Sequence, residues 1–240
     1  EKDGYEADDV LATLSREALN PKSKILNKSK VQNPNNQKID QIIIVTGDRD
    51  ILQLVSHHVF VYMPTKGLSE AKLYTKKEVK ERLGVDPERV ADFKGLAGDA
   101  SDNYPGVAGI GPKTAIALIE VFGSVEAVYK ALKKTDPRLK QFSDSVIEKL
   151  KAGKGSAELS KDLATIRTDV SLSGDLSQAY ITTLDTAEAR KVLSDLHFHS
   201  LLKRLSGGGD NASQRQSIKV SKKDKEKKPE EKNSEQQQLF

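Results

Sequence analysis

The 240-residue chain contains no cysteine, no tryptophan and a single methionine. The absence of cysteine excludes disulfide bonds and thiolate metal sites, and it fits a reducing compartment. No apolar run approaches the roughly 20 residues that a membrane-spanning helix needs, so we expect no membrane partner. No signal peptide is recognisable, and the chain begins at Glu1 without a preceding Met. We therefore expect a fragment or a processed product.

Apolar and aromatic side chains are scarce, and charged side chains are abundant. Hydrophobic residues make up 36% of the chain, aromatic residues 5% and charged residues 31%, with a formal net charge of +4. From Ser206 onward, eight Lys or Arg face six Asp or Glu, so about half of the net charge lies in this stretch. Such a polar segment cannot bury enough surface to fold, which predicts a disordered tail. The remainder is long enough for one large domain or two small ones.

Seven carboxylates form three short clusters early in the chain. The clusters are Glu6, Asp8 and Asp9, then Asp48 and Asp50, then Asp99 and Asp102. Like charges repel when a fold brings them together, and burying them without partners is costly. Divalent cations are the usual compensation, and hard carboxylate oxygens favour Mg²⁺ or Mn²⁺. The clusters therefore predict an acidic metal site.

Each cluster also has a purely structural interpretation. The first could consist of acids that interact favourably with a helix dipole, the second could form a turn after a strand, and the third could form an Asx turn and helix cap. One cluster alone is therefore weak evidence. Three together, at a helix start, a strand end and the edge of a Gly-rich hairpin, favour a shared metal site.

The segment GVAGIGPKTA predicts a phosphate-binding hairpin that leads into a helix. Its glycines permit positive φ and close backbone approach, and they are Gly106, Gly109 and Gly111. Pro112 suits the first turn of a helix, and the N–H groups from Lys113 to Ala115 are predicted to be free to hold a phosphate. Lys113 would add charge and Thr114 a hydroxyl. The alternative is a simple Gly-rich turn between helices. The spacing differs from a Walker A loop, which disfavours a nucleoside triphosphatase.

Hydrophobic periodicity predicts an α/β portion followed by an all-helical module. The β-branched run at residues 42–46 predicts a strand buried on both faces, with Asp48 and Asp50 just past its carboxyl end. A second strand is predicted at residues 59–63, and a flexible insertion at 20–41. The predicted helices cover residues 5–18, 51–55, 75–83, 87–97, 114–122, 125–132, 143–151, 157–166 and 186–205.

Three sequence stretches, GYEADDVLATL, VTGDRDILQLV and LAGDASDNYPGVAGIGPKTA, resemble the 5′-nuclease domain of bacterial DNA polymerase I, a domain of the flap endonuclease superfamily. The resemblance extends over residues 4–205. It implies an α/β fold with a PIN-like parallel-sheet catalytic portion, followed by a helix–hairpin–helix-type module and a disordered tail. We assign these parts to residues 1–73, 74–205 and 206–240. The N-terminal part of the catalytic domain is missing.

The resemblance also implies roles for individual residues. Glu6 and Asp8 match ligands of a first divalent cation, with Asp9 beside them. The acids that match the second cation site are Asp48, Asp50, Asp99 and Asp102. Residues 106–114 match a hairpin that follows duplex backbone and holds K⁺ in relatives. Arg49 has no matching role and is expected to be exposed. The four histidines show no metal-like spacing, and the pair His197 and His199 is expected to pack within a helix.

The implied function is a metal-dependent 5′→3′ exonuclease and flap endonuclease in DNA replication and repair. The implied partners are 5′-flap, nicked or gapped DNA and a fused or separate DNA polymerase, in the bacterial cytoplasm at the nucleoid or in an organelle. Two features of the family, a first strand carrying a metal-binding Asp and a basic helical arch, are absent from this chain. A non-catalytic duplex-DNA-binding fragment is therefore the alternative. A PIN-type ribonuclease is a third possibility, because it would not require the hairpin.

The C-terminal sequence QQQLF fits the loose pattern Q-x-x-L-F of peptides that dock on bacterial sliding clamps. The residues that carry the match are Gln236, Leu239 and Phe240. A disordered tail that ends in Leu-Phe suits such a peptide. The alternative is a chance match within a low-complexity end.

Overall fold

The computed structural model describes residues 2–20, 39–64, 71–173 and 185–205. The chain divides into two compact units, Glu1–Tyr180 and Ile181–Phe240. Most of the predicted insertion at 20–41 and the whole predicted tail from 206, including its clamp-binding residues, lie outside the described residues. The predicted domain boundary between residues 73 and 74 stays a prediction.

The first unit begins with helix α1, Ala7–Leu19. Its N-terminus is stabilised by a capping box, in which the Glu6 carboxylate accepts from the backbone of Asp9 and the Asp9 carboxylate accepts from the backbone of Glu6. Asp8 and Asp9 occupy the first turn, where the helix dipole favours negative charge. The predicted helix at residues 5–18 is therefore confirmed, with its acids at the N-terminal end.

The described sheet has three strands, β1 Ile42–Val45, β2 Val59–Pro64 and β3 Ala71–Tyr74, in the order β1-β2-β3. Strands β1 and β2 are parallel, whereas β2 and β3 are antiparallel. The sheet is therefore mixed rather than wholly parallel. The short segment AKLY of β3 lacks a clear alternation of apolar and polar residues, and it was not among the predicted strands.

The prediction that the first strand is buried on both faces is wrong. Ile44 is buried, but Ile43 is 40% exposed and Val45 is 64% exposed. In the described sheet β1 is an edge strand, and alternate residues of a strand point to opposite faces. The face that carries Ile44 packs on the core, whereas the described residues leave the opposite face uncovered.

Helices form the rest of the first unit, as the periodicity predicts. A 3₁₀ helix at Asp50–Leu54 follows β1, and Pro87–Arg89 and Pro137–Gln141 are also 3₁₀. The α-helices are α2 Lys76–Leu83, α3 Val90–Ala97, α4 Pro112–Phe122, α5 Val125–Lys134, α6 Asp144–Ala152 and α7 Lys154–Ala164. One hydrophobic cluster joins sheet and helices, including the fully buried Ile51, Leu52, Val61, Tyr74, Leu96, Leu118 and Leu150.

Helices α3 and α7 pack closely because Gly95 lies between them. A Cβ at Gly95 would stand 2.8 Å from the Cβ of Lys161. The Lys161 ammonium lies 2.7 Å from the carboxylate of Asp92, which is buried. It also lies 2.7 Å from the carboxylate of Glu126. Asp92 also accepts from the backbone N–H of Val125 at 2.9 Å. These contacts fix helix α3, which precedes the acidic loop.

The second unit contains helices α8, Ala187–Asp195, and α9, His199–Leu205. A single helix was predicted for residues 186–205, and that prediction is wrong. His197 has a φ of 58°, which an α-helix cannot accommodate, so the chain turns there. His197 and His199 are exposed rather than packed. None of the helices among the described residues is long and apolar enough to cross a membrane.

Candidate metal centre

The turn after β1 positions the second acid cluster. Thr46 Oγ1 accepts from the Asp48 N–H at 3.0 Å, and Asp48 Oδ1 accepts from the Asp50 N–H at 2.9 Å. These short-range bonds end the strand and start the 3₁₀ helix at Asp50. Asp48 therefore does form the turn that the structural interpretation suggested. Asp50 is half-buried, and Arg49 between them is exposed, as predicted.

The loop after α3 positions the third cluster. Helix α3 ends at Ala97, and Asp99 and Tyr104 exchange backbone hydrogen bonds of 2.9 and 2.8 Å across the loop. Asp99 Oδ1 accepts from the backbone N–H of Ser101 at 2.9 Å and from its hydroxyl at 2.5 Å. These hydrogen bonds order the loop, and they position Asp99 and Asp102 near Asp50, which follows β1.

The second and third clusters meet. Oxygens of Asp50, Asp99 and Asp102 all lie within 4.8 Å of one another. Asp50 is far from Asp99 and Asp102 in the sequence, and the fold brings the three carboxylates to one place. Asp50 and Asp99 are half-buried and Asp102 is exposed. Such a group fits a hard divalent cation, which prefers carboxylate oxygens as ligands.

Lys94 lies among these three carboxylates. Its side chain is only 7% exposed, and its ammonium is 2.7 Å from Asp99 Oδ2, 3.2 Å from Asp102 Oδ2 and in close contact with Asp50. Sequence reasoning did not identify this residue. The only signal was a lysine within the largely apolar stretch VADFKGLA of α3.

Electrostatic effects connect the first cluster to this centre. Burial, followed by the charges of Asp48, Asp50, Glu6 and Asp9, raises the pKa of Asp8 to about 6. The acids that raise the pKa of Asp8 include both members of the second cluster, so the N-terminal end of α1 lies near the carboxyl end of β1. Like charges that raise a carboxyl pKa mark a place where positive charge is favourable.

The ammonium of Lys94 acts to lower the pKa values of Asp50 and Asp99. Burial acts to raise the pKa of Asp99, but hydrogen bonds from Lys94 and Ser101 outweigh burial and lower this pKa to about 2. Burial raises the pKa of Asp50 despite its contact with Lys94. Burial disfavours the charge of Lys94, yet its hydrogen bonds to Asp50 and Asp99 raise its own pKa. The cluster is thus a charged network.

The Asp9 carboxylate makes hydrogen bonds to the backbone that the sequence did not predict. Its Oδ2 accepts from the Glu6 N–H at 3.2 Å, and its Oδ1 accepts from the Arg167 N–H at 2.7 Å. Both carboxylate oxygens therefore accept hydrogen bonds from backbone N–H groups. Glu6 is exposed at the start of α1. Whether the seven predicted acids bind metal stays a prediction.

The Gly-rich loop before α4 is tightly built. Gly106 has a φ of 57° and Gly109 a φ of 78°, whereas Gly111 is extended at −90° and caps α4. A Cβ at Gly106 would stand 2.2 Å from the backbone nitrogen of Gly98. The Gly106 N–H donates to the buried hydroxyl of Ser160 at 2.9 Å, and Lys149 donates to the Gly109 carbonyl at 3.3 Å. Gly106 and Gly109 use the positive φ that glycine permits, whereas Gly111 does not.

The predicted phosphate-binding N–H groups need one correction. The Ala115 N–H donates to the Gly111 carbonyl at 3.0 Å inside α4, so it is not free for a ligand. Lys113 is exposed and Thr114 is half-buried in the first turn. A contact of these residues with DNA stays a prediction.

Fold and site together define a mixed α/β protein with a carboxylate centre suited to hard divalent cations, joined to a helical module. The N-terminal resolvase-like domain of the 5′-3′ exonucleases matches residues 1–84, and their C-terminal SAM fold domain matches residues 85–187. The chain belongs to the 5′-3′ exonuclease family.

Curated relatives are bacterial DNA polymerases I. The thermostable enzyme of Thermus filiformis is 42% identical over 202 residues, covering 84% of this chain and 21% of that protein. DNA polymerase I of Bacillus subtilis is 34% identical over 218 residues, covering 91% and 22%. The enzyme of Caldicellulosiruptor bescii is 40% identical over 207 residues, covering 85% and 22%. The chain thus spans about a fifth of the length of these relatives.

Solved structures show the same fold. The T5 D15 protein co-crystallised with metal ions aligns with a TM-score of 0.51 at 19% identity, covering 86% of this chain and 62% of that chain. T5 5′-exonuclease with bound zinc aligns with a TM-score of 0.50 at 20% identity, covering 81% and 60%. At this identity the likeness shows the fold alone.

Proposed function

We propose that this chain acts as a divalent-metal-dependent 5′→3′ exonuclease and flap endonuclease on DNA. The observation that carries the proposal is the meeting of Asp50, Asp99 and Asp102, whose oxygens lie within 4.8 Å of one another. The raised pKa of Asp8, to about 6, adds the first acid cluster to the same region. Family membership and the T5 structures with bound metal ions support the choice of chemistry.

The residues divide into two proposed cation sites. Glu6 and Asp8 would hold one Mg²⁺ or Mn²⁺, and the acids of the other site would be Asp48, Asp50, Asp99 and Asp102. Bound metal would activate water and stabilise the leaving oxygen of a phosphodiester. Asp9 would keep the N-terminal end of α1 in place, because both its carboxylate oxygens already accept hydrogen bonds from backbone N–H groups.

The hairpin and the start of α4 are the proposed contact with duplex backbone. Gly106 and Gly109 shape the loop, Gly111 ends it, and Lys113 and Thr114 follow in the first turn of α4. A helix N-terminus with an exposed Lys suits a phosphate. Backbone contacts of this kind do not read bases, so binding should be salt-sensitive and largely independent of sequence. Binding of K⁺ at the hairpin remains a prediction.

The partners of the complete protein are also proposals. The relatives are DNA polymerases, so a polymerase, fused or separate, would work beside this nuclease. The substrates would be 5′-flap, nicked or gapped duplexes, met in the bacterial cytoplasm at the nucleoid or in an organelle. Docking on a sliding clamp through the C-terminal sequence stays a prediction.

The test is cleavage of a 5′-labelled flap duplex by this chain in Mg²⁺ and in EDTA, with Asp102→Asn beside the wild type. Asp102 is 42% exposed, so this substitution should leave the fold intact. Asp162→Asn, on the exposed side of α7, is the matched control. We expect Mg²⁺-dependent cutting that is lost in Asp102→Asn and retained in Asp162→Asn. Equal cutting by all three proteins would refute the proposed site.

A second candidate, duplex binding without cutting, is favoured by Lys94, whose ammonium already neutralises part of the carboxylate centre. Salt-sensitive binding of the flap duplex with no product in Mg²⁺ or Mn²⁺ would select this candidate. Absence of both binding and cutting would contradict both functions.

A further inference from the structure

The ammonium of Lys94 stands where the three carboxylates of the candidate centre converge. It lies 2.7 Å from Asp99 Oδ2 and 3.2 Å from Asp102 Oδ2, and it contacts Asp50. Only 7% of the side chain is exposed, so the positive charge is held inside the site rather than at its edge. A charge in this position acts on any cation that approaches the same oxygens.

We propose that Lys94 is a tethered counter-cation that competes with divalent metal for Asp50, Asp99 and Asp102, and so sets the metal concentration at which this centre fills. The inference rests on the proposed metal-binding function. Lys94 is then a positioning residue of the centre that governs metal affinity, rather than a ligand or a group that touches the substrate.

Competition follows from the geometry of the oxygens. Three carboxylate oxygens within 4.8 Å of one another leave one central place for positive charge. An ammonium takes that place with N–H donors at hydrogen-bond distance, whereas Mg²⁺ or Mn²⁺ requires the same oxygens at shorter range. Two positive charges so close together repel, and burial strengthens the repulsion. Metal binding must therefore weaken the contacts of Lys94.

The surrounding residues keep the ammonium near the site. The ring of Tyr104 lies 5.4 Å from Lys94 Nζ, measured to the ring centroid, and gives the charge a neutral partner that does not compete for metal. Helix α3, which carries Lys94, is fixed on α7 through Gly95. In return, the tethered charge compensates three acids that would otherwise repel one another at low metal concentration.

The experiment measures Mn²⁺ binding to the full 240-residue chain without DNA, from the free-Mn²⁺ electron paramagnetic resonance signal. Lys94→Met removes the charge but keeps most of the aliphatic side chain. Lys94→Gln, a second variant, also removes the charge but retains N–H donors for the carboxylates. Lys154→Met, at an exposed position on α7, matches the change in net charge elsewhere. Asp102→Asn removes one of the three carboxylates.

We expect both Lys94 variants to bind Mn²⁺ about tenfold more tightly than the wild type, and Lys154→Met to bind like the wild type. We also expect Mn²⁺ to raise the melting temperature of the Lys94 variants more than that of the wild type, since they lack the compensating charge. If Lys94→Met does not fold without metal, Lys94→Gln supplies the affinity comparison.

The outcomes separate the inference from the function on which it rests. Unchanged or weaker Mn²⁺ affinity in the Lys94 variants, together with weaker affinity in Asp102→Asn, would overturn the role of Lys94 and leave the metal site standing. Wild-type Mn²⁺ affinity in Asp102→Asn and in both Lys94 variants would overturn the proposed site and the inference together.

Discussion

The carboxylate of Asp9 accepts a hydrogen bond from the backbone N–H of Arg167, 158 residues further along the chain, at 2.7 Å. Two further bonds join the same segments: Thr13 Oγ1 accepts from the Val170 N–H at 3.2 Å, and Arg16 donates to Thr168 at 3.5 Å. Helix α1 is therefore held on the chain that follows α7. Because Asp8 is the neighbour of Asp9, this attachment also holds Asp8 in place.

We predict that Asp9→Ala destabilises the protein by about 1 to 2 kcal/mol, because the substitution removes the reciprocal cap of α1 and leaves the Arg167 N–H without its acceptor. Asp9→Asn keeps one acceptor oxygen and should lose less. Urea unfolding in EDTA measures both free energies. Wild-type stability of Asp9→Ala would show that the contact with Arg167 does not hold α1.

We predict that Asp8→Asn stabilises the metal-free protein at pH 8 and that the gain shrinks as the pH falls. The pKa of Asp8 is raised from 3.8 to about 6 in the folded state, so its ionised form opposes folding. This penalty is fully present above about pH 6 and is relieved as the pH falls towards 3.8. Because solvent screens the partly exposed group, we expect a gain of about 1 kcal/mol.

Urea unfolding in EDTA at pH 8 and pH 5 tests the prediction for Asp8. Asp162→Asn, the same substitution at an exposed position of α7, is the control and should change stability by less than about 0.5 kcal/mol. A loss of stability in Asp8→Asn at pH 8 would mean that the carboxylate has a favourable partner in the folded protein.

The sequence was sufficient to predict the meeting of Asp50, Asp99 and Asp102, because a strand end and a hairpin edge are places where acids can converge. It could not predict Lys94, since a lysine in a short apolar helix is equally compatible with a solvent-exposed position. The role of Lys94 depends on tertiary packing, which turns this face of α3 towards the acidic loop. Asp9 is the converse case, in which an expected ligand has both oxygens engaged by backbone.

Two incorrect predictions, the burial of β1 and a single helix at residues 186–205, have local causes. The run IIIV of β1 has the composition of a strand buried on both faces, but burial depends on what covers each face, and the described residues cover only one. The break between α8 and α9 occurs at His197, whose φ of 58° is one that few residues other than glycine adopt. The apolar spacing at Val192 and Leu196 lies before the break and gives no sign of it.

We predict that Gly106→Ala destabilises the protein by at least about 2 kcal/mol. At φ 57° a Cβ is strained, and here it would lie 2.2 Å from the Gly98 nitrogen, a backbone atom that cannot move aside easily. Gly111→Ala is the matched control, because Gly111 has an ordinary φ of −90° and no atom within 4 Å of an added Cβ. Urea unfolding should show a change of about 0.5 kcal/mol or less for Gly111→Ala.

Duplex binding by the same pair of variants would connect the loop to function. If the hairpin grips DNA backbone, Gly106→Ala should weaken binding under conditions where it remains folded, and should do so more than Gly111→Ala, whose added Cβ meets no atom within 4 Å. A Gly106→Ala protein with wild-type stability would show that the loop tolerates the displacement of Gly98.

We predict that Lys113→Ala weakens binding of duplex DNA similarly for unrelated sequences and lowers the salt dependence of binding. Lys113 is exposed in the first turn of α4, where its charge and the helix dipole both favour a phosphate. Loss of one phosphate contact should reduce the slope of log K against log salt by about 1. Lys77→Ala, at an exposed position of α2, is the control. Binding isotherms at four salt concentrations give both slopes. A lysine that neutralises a phosphate must release a counterion when DNA binds. A slope unchanged by Lys113→Ala would therefore show that duplex DNA does not contact Lys113 at the start of α4.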